Sequence, residues 1–148
     1  MTKKIIQKIV LGGVIFKDNK ILILQRSEDE KIFPGLWELP SGKKELLESS
    51  KECLRREIEE ETRLKNIEII MPFAVFDYQI EKENEIKDST QINFLIKLRG
   101  NENVKLSKEH QDFAWIEKKD IEKYKLSKNI KKVIQKAFEL IERLNEKT

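Results

Sequence analysis

Glu57, Glu60 and Glu61 stand where a helix is least able to accommodate them. The stretch from Ser49 to Leu64 is made of helix formers without Gly or Pro, and Cys53, Leu54 and Ile58 recur at helical spacing. Ser49 or Ser50 can cap its start, and Glu52 puts an acid in the first turn. At the far end, Glu59, Glu60 and Glu61 crowd a terminus whose dipole disfavours negative charge, and Glu57 and Glu61 are like charges at i,i+4. Carboxylates that oppose the helix carrying them point to a ligand that needs them. Hard divalent cations such as Mg²⁺ take carboxylate oxygens together with substrate phosphates. Glu57, Glu60 and Glu61 on one helical face would seat such ions and leave positions for a phosphate chain and water. On spacing alone, in a chain with 39% charged residues, the same three side chains read equally as a solvated run.

The segment from Gly42 to Leu64 resembles the Nudix box: Gly, five residues, Glu, seven residues, Arg-Glu, a bulky aliphatic, any residue, Glu-Glu, any residue, Gly, aliphatic. Gly42, Glu48, Arg56, Glu57, Ile58, Glu60, Glu61 and Leu64 fall in register. Arg63 is the departure, standing where the pattern has Gly. A Gly there would be a left-handed helix terminator, so the helix end is expected to be altered or strained. Pro34 to Gly42 resembles the Pro-Gly-Xaa-Trp-Xaa-Leu-Pro-Gly-Gly segment that precedes the box in the same family, with Ser41 in place of the first Gly of the pair.

The resemblance implies a Nudix-type α/β/α sandwich with a mixed β-sheet between helices. It also implies a hydrolase, dependent on Mg²⁺ or Mn²⁺, that splits a nucleoside diphosphate linked to another moiety. Glu57, Glu60 and Glu61 would bind the metal, Glu57 or Glu60 would also activate water, and the backbone carbonyl of Ser41 would be a further ligand. Gly42 and Glu48 would support the site. Arg56 can pair with a box carboxylate and orient it; read bare, it is a surface residue with an i,i+4 partner in Glu60. Glu109 lies in a Glu-His segment before a Trp-containing strand, as in several branches of the family, and is a candidate metal ligand or general base. The bland reading leaves Glu109 and His110 as solvated loop residues.

Substrate contacts rest on residue type. Lys43 and Arg26 are cations that can meet phosphate oxygens, or simply surface residues of a lysine-rich chain. Phe33, Trp37 and Tyr78 can stack on a base, with Trp37 expected to be structural. No family signature for NADH or ADP-ribose cleavage is present. A nucleoside triphosphate, split to a monophosphate and pyrophosphate, is the expected substrate; a dinucleoside polyphosphate is the alternative. A non-catalytic nucleotide sensor on the same fold is the reading from another class.

The elements that must position these residues follow from pattern. Ile5 to Phe16 reads as a strand with Gly12-Gly13 at a bulge or close approach, and Ile21 to Leu24 as its hairpin partner across Lys17–Lys20. Phe33 to Gly42 reads as irregular, punctuated by Pro34-Gly35 and Pro40-Ser41-Gly42. After the helix come a long strand from Ile67 to Ile80 broken near Pro72, a charged loop from Glu81 to Asp88, a half-buried strand from Gln91 to Leu98, a loop from Gly100 to Lys108 and a short strand from Phe113 to Ile116. Lys119 to Tyr124 reads as a helical turn. From Ser127 as cap, Ile130, Val133, Ile134, Ala137, Phe138, Ile141 and Leu144 mark an amphipathic helix.

Composition sets the bounds. The 148 residues are expected to form one domain, 1–148, with a core that needs no staples. Thirty basic against 27 acidic residues leave a net charge of +3, which does not by itself call for nucleic acid, and Lys128, Lys131, Lys132 and Lys136 read as the wet face of the last helix. Cys53 is the single cysteine, so no intramolecular disulfide forms, and on the apolar helix face it reads as core. Neither a signal-peptide apolar region nor a membrane-length run is present. The expectation is a cytoplasmic monomer or homodimer acting on a small nucleotide.

Overall fold

The computed structural model describes residues 2–146; residue 1 and residues 147–148, the ends of the expected 1–148 domain, lie outside them. Chain order is β1 (Lys4–Lys17), β2 (Lys20–Arg26), β3 (Trp37–Glu38), β4 (Ser41–Lys43), α1 (Ser50–Thr62), β5 (Ile67–Glu81), β6 (Glu85–Leu98), β7 (His110–Ile116), a 3-10 helix (Lys118–Lys123) and α2 (Lys128–Glu146).

The seven strands form one sheet in the order β3-β2-β1-β6-β5, with β4 also on β1 and β7 also on β2. β1 and β6 run parallel in continuous register from Lys4↔Glu85 to Phe16↔Lys97, and the remaining pairs are antiparallel. One edge of β1 is shared. β2 takes it beside the hairpin turn at Phe16↔Ile21, and β4 takes it further along at Leu11↔Gly42 and Gly12↔Ser41. Gly13 N–H donates to Pro40 O at 2.8 Å, which draws the segment before α1 onto the sheet.

Side-chain alternation assigns the two faces. Leu11, Ile15, Leu22, Leu24, Phe94, Ile96 and Leu98 pack with Cys53, Leu54 and Ile58 of α1. Val14, Phe16, Ile21, Ile23 and Leu95 pack with Ile130, Val133, Ile134, Ala137, Phe138 and Ile141 of α2. The result is an α/β/α sandwich around a mixed sheet. Ser49 caps α1 by accepting from Glu52 N–H at 3.1 Å, and Ser127 does the same for α2 through Ile130 N–H at 3.2 Å. No helix among the described residues is long and apolar enough to cross a membrane.

Several expectations need correction. Glu85 to Asp88 is strand rather than loop, because β6 continues into an arm paired with β1 and β5 on either side. From Gln91 to Leu98 that strand is buried on both faces instead of one, since α1 and α2 flank it. Trp37–Glu38 and Ser41–Lys43 are short strands within the segment read as irregular. Leu144 is exposed, beyond the last turn of α2 that reaches the core. Gly12-Gly13 marks a close approach: a Cβ on Gly13 would lie 3.1 Å from Ile96 Cδ1 and 3.2 Å from Ile58 Cδ1. Pro72 does not break β5, which runs through it; the expected interruption is instead a shift of register with β6 on either side.

Candidate active site

α1 closes with its carboxylates in three different settings. Glu57 is half-buried, Glu61 is only 4% exposed, and the Glu60 side chain is 60% exposed. Glu57 and Glu61, four residues apart, face inward together. Glu60 stays on the wet side, reached by Arg56 Nη1 at 3.8 Å, so the expected single face of three carboxylates is split. The helix ends on Arg63 itself, in the left-handed conformation (φ 65) with its N–H donating to Glu59 O at 2.9 Å. The left-handed end is therefore kept, with a side chain bearing the strain that Gly avoids.

Arg56 is the hub of the polar shell. Its Nε and Nη2 grip both Glu48 oxygens at 2.7 and 2.9 Å, Nη1 donates to Glu57 Oε1 at 2.7 Å, and Nη2 also reaches Lys43 O at 3.1 Å. The fork holds Glu48 at a pKa of about 2 and pushes the Arg56 guanidinium further up its already high range. Burial raises the Glu57 carboxyl above its ordinary value, Arg56 opposes that rise, and the charges of Glu60 and Glu109 add to it. Gly42 leaves the space: a Cβ there would lie 1.9 Å from the Glu57 carboxyl carbon.

Glu61 accepts from the Ser41 backbone N–H at 2.9 Å. Its pKa is nevertheless raised well above the ordinary carboxylate, first by burial and then by the charges of Glu38, Glu109 and Glu57. One carboxylate oxygen each from Glu61 and Glu109 and one ring nitrogen of His110 lie within 4.8 Å of one another. His110 is buried rather than solvated, its side chain 0% exposed, with Nε2 at 2.8 Å from Glu38 Oε2 and Nδ1 without a protein partner. Glu38 also meets Arg26 Nη1 at 3.3 Å, while Arg26 Nε donates to Ile32 O at 2.9 Å. Ser27 N–H holds Glu109 O at 2.9 Å, which fixes the segment carrying Glu109 against the end of β2.

These groups stand at one end of a cavity of about 310 Å³. Ser41, Glu61, Glu109, Glu38 and Arg26 line its polar end, and Phe33, Phe76, Tyr78 and Ile80 supply apolar walls. Ser127 and Asn129, at the start of α2, and Gln91 of β6 add polar atoms. Phe33 is exposed and held at φ 50, a conformation that costs a non-Gly residue free energy. Trp37 also lines the cavity but packs edge-on against Tyr124 at 4.9 Å, in keeping with a structural role. Lys43 is exposed and does not line the cavity. Glu38, Gln91 and Asn129 escaped the sequence reading. A carboxylate or amide in a strand or helix start carries no spacing signal, and only the fold brings these three to one cavity.

The donor set suits a divalent cation. Burial and neighbouring negative charge, that of Glu109 included, raise the proton affinity of Glu57 and Glu61, a charge imbalance that a hard cation bound to these carboxylate oxygens would cancel.

Comparison with known proteins gives a consistent picture. A family model described as NUDIX domain matches residues 7–137. A protein named Nucleoside triphosphatase NudI from Escherichia fergusonii is 30% identical over 133 residues, 86% of this chain and 94% of that protein. The crystal structure of a MutT protein from Methanosarcina mazei Go1 superposes with a TM-score of 0.68 at 28% identity, covering 98% of both chains. The dihydroneopterin triphosphate pyrophosphohydrolase of E. coli shares the fold with a TM-score of 0.71 at 18% identity, over 86% of this chain and 92% of that one.

Proposed function

Since the chain belongs to the Nudix family of pyrophosphohydrolases, we propose that it hydrolyses a nucleoside triphosphate to the monophosphate and pyrophosphate. The observation that carries this reading is a buried carboxylate, Glu61, at the polar end of an aromatic-walled cavity of about 310 Å³, with the half-buried Glu57 one helical turn before it on α1. That volume lies at the low end of small-molecule pockets and suits one nucleoside, with its phosphates over the acidic end. It favours a mononucleotide over a dinucleoside polyphosphate. The name of the E. fergusonii relative points the same way.

In this reading Glu57, Glu61 and Glu109, with Glu60 from the wet side and the Ser41 carbonyl, hold Mg²⁺ or Mn²⁺. The bound cation would supply positive charge to the phosphates and make water more acidic. The chain's own residues do the rest. Arg56, anchored on Glu48, fixes the Glu57 carboxylate so that it can take a proton from the attacking water; Glu60 is the other candidate for that step. The Ser41 N–H keeps Glu61 in one orientation. Arg26, Phe33 and Tyr78 line the cavity; in this reading Arg26 meets a phosphate oxygen and the two aromatic rings flank the base. Lys43 could approach a phosphate only from outside the cavity. The proposal takes 1–148 as one cytoplasmic domain, a setting that the free, buried Cys53 suits.

The test is a screen of purified protein over ribo- and deoxynucleoside triphosphates, in Mg²⁺, in Mn²⁺ and in EDTA, with products identified. Monophosphate and pyrophosphate, formed with metal alone, are expected. Orthophosphate release would contradict the proposal. Binding of a nucleotide without turnover would favour the sensor reading.

A further inference from the structure

Gln91, on the cavity wall, belongs to a buried polar pair that hydrolysis does not use. Gln91 and Asn93 lie on one face of β6, 5% and 0% exposed. They stand over Gly12 of the adjacent β1, where a Cβ would meet Asn93 Oδ1 at 2.3 Å and Gln91 Nε2 at 2.8 Å. A strand buried on both faces ordinarily carries apolar side chains, and a buried amide costs free energy unless its atoms are paired.

Hydrogen-bond accounting fixes how both amides point. The Ala74 carbonyl can only accept, so Asn93 must give it Nδ2, at 3.3 Å. Asn93 Oδ1 then faces Gln91, which must answer with Nε2, at 2.9 Å. Turning the Gln91 amide over would set two acceptors against each other. What remains is Gln91 Oε1. It has no protein partner, and the buried polar atoms left without one among the described residues are Ser89 Oγ, Ser107 Oγ and His110 Nδ1. Gln91 Oε1 is therefore not sealed off, and the open space that Gln91 borders is the cavity.

We infer that Gln91 determines base specificity, its locked carbonyl oxygen accepting a hydrogen bond from the exocyclic amino group of a cytosine or adenine base. The inference rests on reading the cavity as the nucleotide site. Deamination to uracil or hypoxanthine replaces that amino group with a carbonyl, which would meet a second acceptor away from bulk water. A site with a buried hydrogen-bonding group rejects the analogue that leaves it unpaired. The aromatic walls stack on any base and do not discriminate.

The test is equilibrium binding of CMP, UMP, AMP and IMP, by titration calorimetry with Mg²⁺ present, to the wild-type protein and to Gln91→Met. The wild type should bind CMP over UMP and AMP over IMP by about tenfold or more, and Gln91→Met should bring both ratios close to one. Equal affinities in the wild type overturn the inference whether or not the variant folds, as do ratios unchanged in the variant or no binding of any of the four. The two readings fail separately. Amino-selective binding without turnover of the triphosphates removes the hydrolase and keeps the role of Gln91, whereas equal turnover of CTP and UTP with equal binding does the reverse.

Discussion

A Cβ on Gly42 would lie 1.9 Å from the carboxyl carbon of Glu57. Gly42 lies in β4 and is not among the glycines of positive φ, so space rather than conformation requires a glycine there. Gly42→Ala should displace the Glu57 carboxylate and break its bond to Arg56. The expected outcome is a loss of kcat/KM of about 100-fold or more and a destabilisation of about 1–3 kcal/mol. Steady-state kinetics and urea unfolding measure the two effects, and wild-type kinetics in a folded variant would disprove the steric assignment.

Glu61 gives a metal-dependent stability signature. Its folded-state pKa is raised above the ordinary 4.5, chiefly by burial. A carboxyl of that kind contributes stability below pH 4.5 that is lost as pH rises through its folded value, so at neutral pH without metal the fold is less stable than with a group that does not ionise. In EDTA at pH 7.5, Glu61→Gln should therefore raise Tm by about 2–4 °C per kcal/mol relieved. In Mg²⁺ the wild type should gain more in Tm than the variant does. Thermal melts under both conditions decide it, and an equal metal response would separate Glu61 from cation binding.

Glu48 titrates in the opposite sense. Held near a pKa of 2 by the Arg56 fork, it contributes stability that is full above pH 4.5 and disappears as pH falls toward 2. Glu48→Gln should be less stable than the wild type at pH 6, with the gap closing below pH 4.5. A gap independent of pH would show that lost packing, not the ion pair, is what the substitution removes.

Arg63 bears the strain at the helix end, with φ at 65. Arg63→Gly should stabilise the protein by up to about 1 kcal/mol, the relief being partly offset by greater freedom of the unfolded chain. Denaturant melts will show it, and a clear loss of stability would mean that the Arg63 side chain holds the end in place by contacts of its own.

What could be read in the sequence followed periodicity. The stripe of Cys53, Leu54 and Ile58 and that of Ile130 through Ile141 gave both helices, and the Gly42–Leu64 spacing gave the acidic end of the site. Residues whose role depends on a distant partner were hidden. Glu85 to Asp88 looked like loop because charges on a strand signal nothing until β1 and β5 pair with it on both sides. The solvated reading of His110 stayed open in the sequence because the carboxylate that holds it, Glu38, lies 72 residues away in the chain. A strand of two or three residues, such as Trp37–Glu38 or Ser41–Lys43, is too short to show a period of two.

The central claim is that Glu57, held by Arg56 at 2.7 Å, serves cation-dependent cleavage of a phosphate chain. Turnover of a nucleoside triphosphate by the wild type and by Glu57→Gln, in Mg²⁺ and in EDTA, tests it most directly. The account predicts monophosphate and pyrophosphate from the wild type in Mg²⁺ alone, and a rate lower by about 100-fold or more in a folded Glu57→Gln. Wild-type turnover by that variant, or cleavage that proceeds equally in EDTA, would contradict it.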